Sequence, residues 1–87
     1  MDYILVAFSS RTDAMRFKES AMARSINANI TATPKGAGVG CGLSVKVFGV
    51  GVDMVTAMIR RLSPISVIGV FSVSIRGGHS FIRTIAK

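Results

Sequence analysis

Hydrophobic and polar residues recur with two different periods along the chain, and these periods predict strands and helices in a regular order. Residues 3–8 are a short, continuous apolar run, which predicts a central strand covered on both faces. Residues 43–47 alternate cleanly and predict a strand with one wet face. Residues 28–33 alternate weakly, as an edge strand does, and Pro34 ends this strand because proline has no N–H for the ladder.

Two segments with apolar positions at helical spacing complete the first part of the pattern. The first helix is predicted to follow a cap at Ser10 or Thr12 and to end near Arg24 or Ser25. The second helix is predicted over residues 52–62. It has an aspartate at its start and two arginines at its end, which is the favourable order for the helix dipole.

The last part of the chain begins with a long β-type run at residues 65–75. Its predicted apolar face consists of Val67, Gly69, Phe71, Val73 and Ile75. A turn is predicted at residues 76–79, and residues 80–86 then favour a short helix with apolar groups on one side. We therefore expect a single domain over residues 1–87, with residues 76–87 as a short C-terminal tail or helix.

The resulting order, β-α-β-β-α-β, predicts an α+β fold of the ferredoxin-like, split βαβ type. In that sandwich, a four-stranded antiparallel sheet carries two helices on one face, and the first and third strands are central. The first and last strands place apolar residues on both faces of this sheet. The open face is therefore expected to be covered, either by a second subunit in a homodimer or by the C-terminal tail.

Composition limits the kinds of site that the chain can build. With 87 residues, of which 49% are hydrophobic, it is long enough for one domain and too apolar for a disordered chain. Its single cysteine excludes an intrachain disulfide framework. One cysteine and one histidine beside four carboxylates do not suggest a four-ligand zinc site. We expect neither a metal nor a cofactor.

The formal net charge of +7 comes from 11 lysines and arginines against 4 acidic residues, and it favours anionic partners. The basic residues are dispersed, and only Arg60 and Arg61 are adjacent. No strand carries the paired aromatic residues that sheet-based RNA-binding modules use. Nucleic acid is therefore the weaker alternative as a partner, and a solvated basic surface is favoured.

The pattern near the N-terminus does not resemble a signal peptide, because Asp2 stands where a basic residue is expected and the apolar run that follows is short. The most apolar stretch, between Arg61 and Arg76, is interrupted by serines and a proline and is too short to cross a membrane. We expect a cytoplasmic protein with no membrane partner, in which Cys41 stays a thiol.

A glycine-rich segment before the third strand is the best candidate for chemistry. It lacks the Gly-Lys-Ser/Thr ending of a P-loop and the glycine spacing of a dinucleotide site. Cys41 stands between Gly40 and Gly42, so reactants can approach its thiol and backbone N–H groups can point at it. Lys35 adds positive charge, which favours the thiolate.

Two alternatives for this segment stay open. Cys41 can be a small buried apolar residue, since free cysteine is among the most buried types. The segment can also be a flexible hairpin connection or an anion site in which the cysteine is incidental. His79 follows two glycines on a predicted surface turn, where a lone histidine is more often neither a base nor a ligand.

Several short motifs resemble the family described as putative Se/S carrier protein-like. They are Phe8-Ser9-Ser10 at the end of the first strand, Ala14 and Glu19 in the following helix, Thr33-Pro34-Lys35, and Cys41-Gly42-Leu43. The resemblance covers about the first half of the chain well and the rest loosely. Lys35 stands where this family typically has arginine.

The resemblance implies a small, non-enzymatic accessory protein. Cys41 would hold sulfur or selenium and pass it between donor and acceptor proteins. Lys35, Gly40 and Gly42 would form the surroundings of the thiol. The alternative is a basic ferredoxin-like module that binds nucleic acid or an anionic small ligand.

Overall fold

A computed structural model of the chain describes residues 2–34, 42–63 and 65–86. The fold is α+β, and it contains two helices and five strands within these ranges. In chain order the elements are β1 (Asp2–Phe8), α1 (Arg11–Ala23), β2 (Asn27–Ala32), β3 (Leu43–Phe48), α2 (Val52–Arg61), β4 (Val67–Arg76) and β5 (His79–Ala86).

The five strands form one antiparallel sheet in the order β2-β3-β1-β4-β5. β1 lies in the middle, where Val6 is paired with Val45 of β3 on one side and with Val70 of β4 on the other. The predicted interior positions of the first and third strands are confirmed. The predicted number of four strands is wrong, and the ferredoxin-like assignment stays a prediction.

The fifth strand replaces the short helix or tail expected at the C-terminus. Gly77 and Gly78 have φ angles of +57° and +80°, which residues with a Cβ rarely adopt, and they connect β4 to β5 as a tight hairpin. His79 is paired with Arg76, and Ile82 with Val73. The helix prediction is wrong because this hairpin turn and the branched residues of the segment favour a strand.

Both helices pack on the same face of the sheet, as predicted. The buried residues of this main core share one cluster, which consists of Ile4, Val6, Phe8, Ala14, Phe17, Ala21, Ala28, Val45, Val47, Val55, Met58 and Val70. The rings of Phe8 and Phe17 lie 5.5 Å apart between centroids, so the end of β1 is fixed against α1. Among the described residues, neither helix has the length and apolar character needed to cross a membrane.

The two ends of α1 have the capping interactions that a stable helix requires. Ser10 is the N-cap, and its side chain accepts a hydrogen bond from the Asp13 N–H at 3.3 Å. At the other end Ser25 has a φ of +60°, and the N–H of Ile26 donates to the carbonyl of Ala21 at 3.0 Å. This Schellman arrangement ends the helix and directs the chain into β2.

The face opposite the helices carries a second buried cluster, formed by Leu5, Ala7, Phe71 and Val73. Ile82 of β5 packs against this cluster, so the C-terminal segment contributes to its burial as a neighbouring strand. These four side chains are at most 1% exposed within a single chain. The homodimer therefore stays a prediction that this burial does not require.

The predicted apolar face of the last strand is correct at Phe71 and Val73 and wrong at Val67. The pairing between β1 and β4 shifts register between Ala7 and Phe8. Val67 packs with the main core as a result, whereas Ile68 packs with the second cluster. A strict alternation cannot continue through such a bulge, because the extra residue changes which face each side chain meets.

The second cluster leads to a testable expectation about stability. Phe71→Ala should lower the free energy of unfolding by about 3–5 kcal/mol, because it leaves a cavity at a fully buried aromatic side chain. Urea unfolding followed by far-UV circular dichroism measures the change. Phe81→Ala is the matched control, since Phe81 is 57% exposed on β5 and should change stability by less than about 0.5 kcal/mol. Equal effects of the two substitutions would contradict this packing.

Candidate functional site

The connections around the predicted site meet at one end of the strands, where β1 ends and β3 and β4 begin. We call this end of the sheet the loop edge. There Phe8, the last residue of β1, is paired with Leu43 at the start of β3 and with Val67 at the start of β4. The helix α1 begins three residues after Phe8. The connection from β2 to β3 therefore emerges beside the N-terminus of α1 and the connection from α2 to β4.

Of the four residues predicted to form the site, Gly42 is the one that the structure describes. Cys41, Lys35 and Gly40 lie outside the described residues. The structure thus gives the place where the glycine-rich segment joins the sheet, through Thr33 and Gly42.

The two ends of the segment are held together by hydrogen bonds, and we call this pair of ends the loop stem. The N–H of Thr33 donates to the carbonyl of Gly42 at 3.0 Å. The hydroxyls of Thr33 and Ser44 lie 2.7 Å apart and form a further hydrogen bond. Ser44 is fully buried, so this bond satisfies a hydroxyl that would otherwise cost free energy away from water. The loop stem is therefore a fixed part of the sheet.

Gly42 occupies a position that has no room for a side chain. A Cβ atom built there would lie 2.8 Å from the backbone oxygen of Phe8, closer than real Cβ contacts permit. The sequence predicted that Gly42 leaves room for reactants to approach the Cys41 thiol. The structure adds a packing reason for glycine, since the backbone here lies directly against the central strand.

A network of hydrogen bonds joins the start of α1 to the start of β4. The N–H of Ser66 donates to the Asp13 carboxylate at 2.8 Å, and the N–H of Ser10 donates to the Ser66 hydroxyl at 3.1 Å. The N–H of Ser9 donates to the Ser66 carbonyl at 3.1 Å. Sequence reasoning treated Ser10 and Asp13 only as helix-end residues and gave Ser66 no role in the site. No local pattern could connect them, because more than fifty residues separate Asp13 from Ser66.

Arg16 extends this network to the end of α2. Its guanidinium contacts the Asp13 carboxylate at 3.2 Å and donates to the carbonyl of Leu62 at 3.2 Å. Hydrogen bonds from Ser66 have the largest effect and lower the pKa of Asp13. Burial opposes them by a smaller amount, and the hydrogen bond and charge of Arg16 lower the pKa a little further. Asp13 is thus held as a carboxylate that joins three elements, which indicates a structural role.

The comparisons with known proteins agree with the resemblance found in the sequence. Residues 2–69 match the family described as Putative Se/S carrier protein-like. The chain belongs to this family. A search of curated proteins and a search of solved structures each found no match.

The family match includes every element that forms the loop edge of this carrier-like protein. It extends from β1 to the first residues of β4 and so contains the loop stem and the Asp13 network. The hairpin at Gly77 and Gly78 and the whole of β5 lie beyond the matched residues. The match therefore covers the loop edge and does not extend to β5, the outermost strand on one side of the sheet.

Several basic residues lie at the loop edge. Arg11 begins α1, and Arg60 and Arg61 end α2, whose last turn approaches Arg16. Asp13 is the acidic residue at this edge. Asp2, at the start of β1, and Asp53, in the first turn of α2, lie at the opposite ends of the strands. The loop edge therefore has an electrostatic field that favours anions.

The place of Gly42 leads to a prediction with a matched control. Gly42→Ser should lower the free energy of unfolding by about 1–3 kcal/mol, because its Cβ would press on the Phe8 backbone. Gly51→Ser adds the same side chain at the N-cap of α2, where a Cβ meets nothing within 4 Å. Since serine is a better N-cap than glycine, the control should be neutral or slightly stabilising. Urea unfolding compares them, and a neutral Gly42→Ser would contradict the close packing.

The lowered pKa of Asp13 predicts how stability depends on pH. This carboxylate stabilises the folded chain fully above its ordinary pKa of 3.8, and the contribution is lost as the pH falls through the lower folded-state value. Asp13→Asn should therefore be less stable than the natural chain near neutral pH, and the two stabilities should converge as the pH falls through the lowered folded-state pKa. Urea midpoints measured across this range test it. A difference that is constant with pH would contradict the proposed cause.

Proposed function

We propose that this protein is a small, non-enzymatic carrier that holds a sulfur or selenium atom on Cys41 and passes it between partner proteins. Membership of the Se/S carrier-like family is the observation that carries the proposal, and the family match spans the position of Cys41. Cys41 is also the only thiol of the chain, so any sulfur chemistry on a thiol must occur there.

The loop stem supports this role, because it gives the carrier segment a defined base. A peptide bond joins Cys41 to Gly42, whose backbone packs against Phe8 and accepts a hydrogen bond from Thr33. The cysteine is thereby tethered to a rigid point of the sheet. A carrier needs such a tether, since its cargo must be presented to one protein after another.

The charge of the loop edge supports a reactive thiol. Thiolate is the nucleophilic form of cysteine, and nearby positive charge lowers the pKa of a thiol. The N-terminus of α1, where Arg11 stands, and the last turn of α2, which contains Arg60 and Arg61, lie at this edge. Lys35 would add a further charge within the segment itself. Together these groups would favour the thiolate and attract anionic sulfur or selenium donors.

The proposed transfer requires no oxidant or reductant. The Cys41 thiolate attacks the outer sulfur of a donor persulfide, R–S–SH. A new S–S bond forms as the donor's S–S bond breaks, which leaves Cys41 as a persulfide and releases the donor as the thiolate R–S⁻. The same exchange with R–S–SeH would load selenium. An acceptor thiolate then removes the atom by the reverse reaction.

The partners are therefore a donor protein that generates a persulfide or its selenium analogue and an acceptor protein with a nucleophilic thiol. A second cysteine in the chain would discharge the adduct as an internal disulfide, and the sequence contains none. A reducing compartment such as the cytoplasm would keep the empty carrier as a free thiol.

Mass spectrometry of the intact protein tests this function. After incubation with cysteine persulfide and removal of the excess, the protein should be about 32 Da heavier, and a thiol should return it to its original mass. Iodoacetamide alkylation measured against pH should give a Cys41 pKa below the ordinary value of about 8.5. Cys41→Ser should show neither the adduct nor alkylation.

A pair of lysine variants tests the electrostatic part separately. Lys35→Gln should raise the thiol pKa and slow alkylation at neutral pH. Lys18→Gln makes the same charge change beside Ser25 and Asn27, at the opposite edge of the sheet, and should have little effect. A Cys41 pKa of about 8.5 or higher together with no sulfur adduct would exclude the carrier function.

A further inference from the structure

The face of the sheet opposite the helices is divided into two regions of different chemistry. Over β4 and the Leu5 and Ala7 positions of β1 it carries the buried second cluster, against which Ile82 of β5 packs. Over β1 and β3 it carries Tyr3, Lys46 and Phe48, which we call the aromatic platform. All three side chains are half-buried, so part of each remains open to solvent.

The strand register places the three residues of the aromatic platform on one face. Lys46 is paired with Leu5 of β1, and Tyr3 and Leu5 lie on the same face because they are two residues apart. The rings of Tyr3 and Phe48 lie 5.3 Å apart between centroids with an interplanar angle of 50°. The Lys46 ammonium lies 5.0 Å from the centre of the Tyr3 ring. Two aromatic rings and a cation thus form one compact group.

Polar side chains of β2, the outermost strand next to β3, extend this group. Asn27 is paired with Phe48, and Asn29 with Lys46, so both asparagines lie beside the aromatic platform on the same face. Both are exposed, and their side chains contact each other at 3.5 Å. Amide groups can donate and accept hydrogen bonds at the edges of nucleobases.

Together, these side chains suit a ligand with flat aromatic groups and negative charge. Bases of a single strand stack on aromatic side chains, and every base offers a face for stacking. The chain's net charge of +7 complements the phosphates. A lysine over a partly exposed ring is held weakly compared with a base stacked on that ring, so Lys46 can move to contact a phosphate.

We propose that the aromatic platform binds single-stranded nucleic acid, with two or three bases stacked on Tyr3 and Phe48 and a phosphate at Lys46. The strands β1, β3 and β2 together span roughly 10 Å, which suits this number of bases. The sequence contains no strand with paired aromatics, and here the pair comes from two strands that the register brings together. This site lies at the opposite ends of β1 and β3 from the loop edge, and it does not depend on the carrier function.

The fluorescence of Tyr3 provides a direct measurement, since the chain has one tyrosine and no tryptophan. An oligouridine of twelve nucleotides should quench this emission at low salt, because a stacked base contacts the emitting tyrosine ring. Inorganic polyphosphate of similar charge should bind weakly and leave the emission unchanged. Free N-acetyltyrosinamide at the same oligonucleotide concentrations corrects for absorbed light. The corresponding oligothymidine shows whether the site distinguishes RNA from DNA.

Variants show whether the rings or only the charge is responsible. Phe48→Leu keeps an apolar side chain without the ring and should weaken binding of a labelled oligouridine, measured by anisotropy, at least about five-fold. Lys46→Gln should reduce the salt dependence of binding. Phe81→Leu is the control, because Phe81 is 57% exposed on β5, outside the aromatic platform, and should bind as the natural chain does. Circular dichroism verifies that each variant is folded.

The proposal is overturned if oligouridine is not retained at low salt. It is also overturned if polyphosphate competes as well as oligouridine and Phe48→Leu binds unchanged, since charge alone would then explain binding. Cys41→Ser should bind oligouridine as the natural chain does. Failure of the carrier function and failure of the aromatic platform are therefore distinguishable.

Discussion

The burial of β1 on both faces is the constraint on which the rest of the structure depends. From Ile4 to Phe8 every side chain of this strand is buried, and successive residues face opposite sides of the sheet. One side requires the helices and the other requires the second cluster. A single strand of five buried residues thus determines that both faces must be covered, and it places β3 and β4 as its neighbours.

The loop edge follows from where β1 ends. Phe8 packs against Phe17 of α1, its backbone oxygen contacts Gly42, and its register partners begin β3 and β4. Gly42, at the end of the glycine-rich segment, is therefore held against the central strand by backbone contacts. At the same edge, the hydrogen bonds from Ser66 to Asp13 and from Ser9 and Ser10 to Ser66 join the start of α1 to the start of β4.

Sequence patterns predicted most of this architecture because the signals are local. A continuous apolar run predicted β1, and helical spacing after a cap at Ser10 or Thr12 predicted α1 within two residues of its observed ends. The fifth strand was missed, although Gly77-Gly78 between two apolar runs is a hairpin signal. A short segment with apolar residues on one side is ambiguous between helix and strand until the turn chemistry decides.

The features that sequence could not predict are those that depend on register. Ser66 reaches Asp13, and Tyr3 reaches Phe48, only because strands far apart in the chain are paired. The bulge between β1 and β4 has the same origin, since no local pattern shows that Val67 faces the main core and Ile68 the second cluster.

The same register separates the two proposed activities of the molecule. The aromatic platform is formed by the first residues of β1 and the last residues of β3, whereas the loop edge is formed by the opposite ends of those strands. A rigid sheet between them can fix both positions without requiring that one site change shape when the other is occupied. The property that the two proposals share is charge, because a basic chain attracts anionic molecules to its surface. In each proposal the local side-chain chemistry then determines which molecule is bound.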